Sequence, residues 1–155
     1  MVGTLDQINE FLQQKKLALI GLSRDPKHFS RAIYRELTLR GYHIFPVNPQ
    51  SDKIEEQSSF HSVKEIPETV YTALLLTPPN QTEKVLHECL QKQISHVWIV
   101  NNKGLEMVSP KTLEMCKHNG VKIISGYCPF MFLPDAGFFH RFHGWLSRLT
   151  GNYPN

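Results

Sequence analysis

The chain has few cysteines, and they are poorly spaced for the usual cysteine roles. Cys89, Cys116 and Cys128 are its three. None form a Cys-x-x-Cys pair, which argues against zinc-ribbon and thioredoxin-like motifs, and their spacing is not that of a disulfide framework. A reducing, cytoplasmic setting is expected. Long apolar runs are also missing: nothing approaches a membrane span, and the opening "MVGTLDQINEFLQQKK" lacks the apolar stretch of a secretory signal. Charge of one sign is scarce. Seventeen Lys plus Arg against fourteen Asp plus Glu leave a net +3, with no basic block, so neither nucleic acid nor a membrane surface is an expected partner. What remains is an ordinary composition, 41% apolar and 20% charged over 155 residues. That reads as one folded domain, 1–155, able to bury a core unaided.

Apolar strand-like runs alternate with helical patterns. Residues 5–15 carry Leu5, Ile8, Phe11 and Leu12 on one helical face. "LALIGL" (17–22) reads as a buried strand that ends on a glycine, and 31–40 as a helix with Ser30 as its N-cap and Gly41 as its stop. "YHIFPV" (42–47) is a second strand, and a polar loop follows it. "VYTALLLT" (70–77) is a third strand; Asn80 with Glu83 then resembles a capping box. "HVWIV" (96–100) and "VKIIS" (121–125) are the fourth and fifth strands, separated by a helix that Ser109 and Pro110 open and "NG" (119–120) closes. Strands separated by helices imply crossovers, hence parallel pairing. The expected fold is α/β: a doubly wound, parallel, five-stranded Rossmann-like sheet, ordered 3-2-1-4-5. Ligands on such sheets sit beyond the carboxyl ends of the strands.

The first strand's turn is therefore the place to look. Ser23, Arg24, Lys27, His28, Ser30 and Arg31 surround the start of the next helix, where unpaired N–H groups and a partial positive charge suit phosphate oxygens. A solvated loop with an ordinary cap is the competing reading. NAD(P) requires G-x-G-x-x-G, and "GLSRDP" has a single glycine. It also requires an acid after the second strand, where this chain has Asn48 and Pro49. The two mismatches disfavour a dinucleotide without removing an atypical binder, and no P-loop is present.

The stretch "IGLSRDPKHFSRAIYRELTLRGYHIFPVNP" resembles the opening of the CoA-binding domain family, small Rossmann-like proteins related to the N-terminal domain of succinyl-CoA synthetase alpha subunits. The resemblance covers a core of roughly 17–129. Its signals are Gly21, Ser23, Pro26 and Ser30, then G-Y-x-x-x-P-V-N-P (41–49), then "TPP" (77–79) and Trp98. It implies CoA as ligand, held by Gly21, Leu22, Ser23, Arg24, Lys27, Ser30, Asn48, Pro49, Thr77, Pro78, Pro79 and Asn101. The absence of an acid at Asn48–Pro49 suits CoA, whose ribose carries a 3′-phosphate that a carboxylate would repel. Two positions depart from many small members: Val100 stands where they carry glutamine, and Gly126-Tyr127 where they carry Asp-Arg. The expected role is a stand-alone protein that senses, carries or buffers CoA or acyl-CoA, with no legible catalytic set. The rivals are a CoA-dependent enzyme using Cys128 for acyl transfer or thiol redox, and an NAD(P) or other nucleotide module.

The tail, 130–155, is rich in aromatics. Phe138, Phe142, Trp145 and Leu149 follow helical spacing, so a docked terminal helix is expected, a surface for a protein partner or for self-association. A lid and a membrane-surface helix are the rival readings. His140 and His143 lie three apart, but the usual ligand spacings are missing and no metal is expected.

Overall fold

The computed structural model of the protein describes residues 2–100 and 105–134. Helix α1 is Leu5–Gln13. Thr4 opens it with a reciprocal capping box: its hydroxyl accepts from the Gln7 N–H, and the Gln7 side chain accepts from the Thr4 N–H. Strand β1 (Lys16–Ile20), helix α2 (Phe29–Leu39) and strand β2 (His43–Val47) follow. A short antiparallel hairpin, β3 (Lys53–Ile54) and β4 (Gln57–Ser58), precedes β5 (Thr72–Leu75), α3 (Pro79–Gln91), β6 (His96–Ile99), α4 (Pro110–His118) and β7 (Lys122–Ser125).

Five strands form one parallel sheet, in the order β2-β1-β5-β6-β7. The α/β class, the parallel pairing and the strand count are as expected. The expected order 3-2-1-4-5 does not form. In the same counting the strands lie 2-1-3-4-5, because β5 pairs with β1 instead of lying outside β2. The physical reason is Pro46. Gly21 N–H and His43 N–H fix which residues of β2 and its flanks face β1, so Pro46 faces the outer edge, where it has no N–H to offer. That edge is closed by a single bridge: Phe60 N–H donates to Pro46 O and Asn48 N–H to Phe60 O.

Alternation along the strands divides the core in two. Leu17, Leu19, Leu74, Trp98 and Ile124 face α1 and α2. Ala18, Ile20, Ala73, Leu75, Val97 and Ile99 face α3, α4 and the 3-10 turn Val63–Glu65. Trp98 is fully buried, meets Phe11 edge-on at 5.3 Å and donates its indole N–H to Tyr127 O at 3.0 Å.

Two caps differ from expectation. Helix α2 starts at Phe29, with His28 as N-cap accepting from the Ser30 N–H; Ser30 is inside the first turn. Helix α3 has Pro78 at its N-cap and no side-chain cap bond, so the Asn80–Glu83 box is absent. Glu83 reaches across to α4, accepting from the Ser109 and Thr112 hydroxyls and the Ser109 N–H. Ser109 and Pro110 open α4 as read from the sequence. Among the described residues, no helix is long and apolar enough to cross a membrane. The tail's helical pattern at Phe138–Leu149, His140 and His143 lie outside the described residues.

Candidate functional site

The loops that leave the carboxyl ends of β1, β2 and β5 meet at the crossover between β1 and β5. Gly21 makes that meeting close. Its φ is +89°, and a Cβ there would lie 2.8 Å from the carbonyl carbon and oxygen of Leu76 and 3.0 Å from Thr77 N. Only glycine takes both the dihedral and the contact. Leu22 is fully buried beneath the turn.

The turn itself is bound together by its polar side chains. Asp25 N–H donates to Ser23 Oγ and Lys27 N–H to Asp25 Oδ1, a pair of side-chain turns. Ser30 lies under the loop, fully buried. Its hydroxyl accepts from the Ser23 N–H at 2.9 Å and lies 2.9 Å from His28 Nδ1. The Ser30 hydroxyl is thus engaged in shaping the turn rather than displayed on its surface. Asn48 joins the second loop to the first. Its Nδ2 donates to Leu22 O at 2.8 Å, while Oδ1 accepts from the Gln50 N–H at 2.7 Å. Arg24, exposed, donates to Gln50 Oε1 at 3.3 Å. Lys27, Pro49 and Pro78 are exposed at the rim, with Pro79 half-buried behind them. Thr77 is buried, and its hydroxyl has no hydrogen-bond partner among the described residues. Asn101 lies outside the described residues.

The first loop therefore meets the second through Asn48 and Arg24 and the third through Gly21. The structure also shows what the sequence reading missed. Arg31, noted only as a cation near the helix start, is buried and turned toward the loop's backbone, donating to the carbonyls of Ser23 (3.1 Å) and Arg24 (3.3 Å) and to Glu55 Oε1 (2.8 Å). Glu55 stands at the tip of the β3–β4 hairpin with a φ of 54°. Its turn, Glu55-Glu56, has none of the Asn-Gly chemistry that marks hairpins in a sequence, so local pattern alone does not distinguish the hairpin from a polar loop. Hydrogen bonds from Arg31, with Arg31 and Arg35 charge beside it, hold the Glu55 carboxyl below its ordinary value.

An apolar wall flanks the turn. Phe29, 44% exposed, meets Phe130 edge-on at 5.9 Å, and Cys128 packs against the same core. Burial pushes the Cys128 thiol up, opposed only in part by backbone hydrogen bonds, so it is not set up as a thiolate nucleophile. A cavity of about 460 Å³ flanks β7 and α4 and shares no residue with the first turn.

Comparison with known proteins shows the family of the chain. The family model described as "CoA binding domain" matches residues 15–134. The chain is 30% identical over 148 residues to the ADP-forming acetate–CoA ligase II of Archaeoglobus fulgidus, covering 90% of this chain and 22% of the ligase. The alpha subunit of the corresponding ligase II of Pyrococcus furiosus is 30% identical over 128 residues, covering 78% of this chain and 28% of the subunit. The chain thus spans between a fifth and a third of these relatives. The uncharacterized protein YneT of Bacillus subtilis is 29% identical and is similar in size, with 79% of this chain and 88% of YneT covered. Among solved structures, Prb, a protein redesigned for binding, superposes with a TM-score of 0.74 at 25% identity, covering 97% and 94% of the two chains. A hypothetical protein from Pyrococcus horikoshii shares the fold with a TM-score of 0.71 at 23% identity, covering 83% and 92%.

Proposed function

Since this chain belongs to the CoA-binding domain family, we propose that it binds CoA or an acyl-CoA at the β1–β5 crossover, as a single domain in a reducing, cytoplasmic setting. The observation that carries this reading is the first turn. Ser30, Asn48 and Arg31 spend hydrogen bonds on one loop at the carboxyl end of β1, where ligands of doubly wound sheets lie. A solvated connection has no need of such investment.

The pyrophosphate would lie against the turn, near Ser23, the Arg24 side chain and Lys27. Ser30 supports the turn from beneath. The 3′-phosphorylated ribose would lie beyond β2, beside Asn48 and Pro49, where no carboxylate opposes it. The pantetheine would cross Thr77, Pro78 and Pro79 toward Asn101. A ligand group reaching the unpartnered Thr77 hydroxyl would relieve the cost of leaving it unpaired.

Binding, rather than chemistry on CoA, suits the residues described. Cys128, the cysteine that follows β7, has its thiol pushed up by burial. A stand-alone role draws support from a relative of similar size, YneT; the ligases' own reaction involves the remainder of much longer chains.

Calorimetric titration with CoA, dephospho-CoA and NADPH tests the reading. CoA should bind, and dephospho-CoA should bind about tenfold more weakly, the size of one charge-assisted contact. Equal affinity for the two would move the 3′-phosphate away from Asn48–Pro49. A preference for NADPH, or no binding of CoA, would sink the assignment.

A further inference from the structure

The polar backbone of the first turn is oriented by a group that the ligand would not need to touch. Arg31 is 6% exposed. One arm of its guanidinium holds the carbonyls of Ser23 and Arg24, and the other donates to Glu55. Arg35 repeats the pattern from one turn further along α2, donating to Glu55 Oε1 at 3.1 Å and to Pro26 O at 3.3 Å. Three carbonyls of one short loop are therefore drawn toward α2 by two guanidinium groups, and both guanidinium groups are anchored on a single carboxylate carried by the β3–β4 hairpin. In a trans peptide the N–H points opposite to the C=O. Drawing the Ser23 carbonyl toward Arg31 directs the Arg24 N–H to the other side, where it has no acceptor among the described residues. The Ser23, Asp25 and Lys27 N–H groups are taken by Ser30 Oγ, Ser23 Oγ and Asp25 Oδ1, so the Arg24 N–H is the one this geometry turns outward, toward an anion.

Stability alone gives little reason for this arrangement. A buried ion pair is often no better than apolar packing of the same volume, and the Arg31 Nε–H has no partner among the described residues, which adds a cost. We propose that Arg31 is a positioning residue of the ligand site, and that the β3–β4 hairpin acts on that site through the Glu55 carboxylate. The hairpin is then the outer half of a brace: Glu55 fixes the guanidinium, the guanidinium fixes the peptides of residues 23–25, and those peptides present the N–H that receives phosphate. Removing the carboxylate frees the guanidinium to swing to solvent and lets the loop peptides rotate.

The binding half of this inference rests on the CoA reading; the positioning half does not. Amide hydrogen exchange on the ligand-free protein separates them. Glu55→Gln and Arg31→Lys should speed exchange at residues 22–28 by about tenfold, as expected for loss of one hydrogen bond to a charged group, while exchange in β1, β5 and β6 stays at the wild-type rate. Lysine keeps the charge but cannot span two carbonyls and a carboxylate. In calorimetry both variants should weaken CoA about tenfold. Wild-type exchange at 22–28 in both variants overturns the brace. Faster exchange there with unchanged CoA affinity overturns its role in binding. If wild-type protein fails to bind CoA, the CoA reading falls, and the exchange result still decides the brace.

Discussion

At the residue scale, the first turn depends on Gly21 for its close approach to the residues after β5. Phosphate turns of dinucleotide enzymes use several glycines so that the ligand can approach the backbone. Here the one glycine of the turn, Gly21, lets two parts of the protein's own backbone approach, the end of β1 and the residues after β5. Gly21→Ala meets both a positive φ and a 2.8 Å contact with Leu76. It should cost roughly 1–3 kcal/mol from the dihedral alone, read as a lower midpoint in urea unfolding. A midpoint equal to wild type would show that the loops part easily. The sequence marked Gly21, Ser23, Ser30 and Asn48 as one constellation, and the structure brings them together. It did not reveal their division of labour. Ser30 and Asn48 point into the protein, and whether a hydroxyl or an amide faces ligand or backbone depends on neighbours from other elements.

At the element scale, α3 and α4 are joined by Glu83, which takes the place of a missing local cap. The carboxylate accepts from the Ser109 and Thr112 hydroxyls at 2.5 Å each and from the Ser109 N–H at 3.3 Å. It thus caps α4 from the side of a neighbouring helix. Those hydrogen bonds, Ser109 first, hold its carboxyl below the ordinary value of 4.5. A depressed carboxyl contributes stability that is present above the unfolded value and lost as pH falls through the folded one. Wild type should therefore lose stability below about pH 4.5 more steeply than Glu83→Gln, compared by urea unfolding across an acid series. Parallel curves would mean that Glu83 plays no part in that acid loss. Local spacing suggested a different partner for Glu83, because Asn80 lies three residues away in sequence while Ser109 lies twenty-six away. The β3–β4 hairpin was missed for a related reason: its two-residue turn lacks Gly or Asn, and Ile54 is held by burial in the core beside α2.

At the scale of the whole molecule, one of the two cores lies where the sheet meets α1 and the segment after β7. Trp98 occupies that junction, touching Phe11 and Phe132 and bonding Tyr127 O. Trp98→Phe leaves a buried carbonyl unpaired and should cost about 1–3 kcal/mol, whereas Leu39→Ala, at a side chain 83% exposed, should stay within about 0.5 kcal/mol. Similar losses for the two would contradict the core described here. The sequence by itself determined the class of the fold, the number of main strands and their parallel pairing. Those follow from periodicity and from the helix between one strand and the next. Strand order and the bracing of the turn were decided by tertiary structure. Order turns on which edge of β2 an incoming strand can use, and Pro46 withholds a donor on one side. The brace exists because Arg31 and Glu55, 24 residues apart, are carried to the same loop by α2 and a hairpin that no local pattern announces.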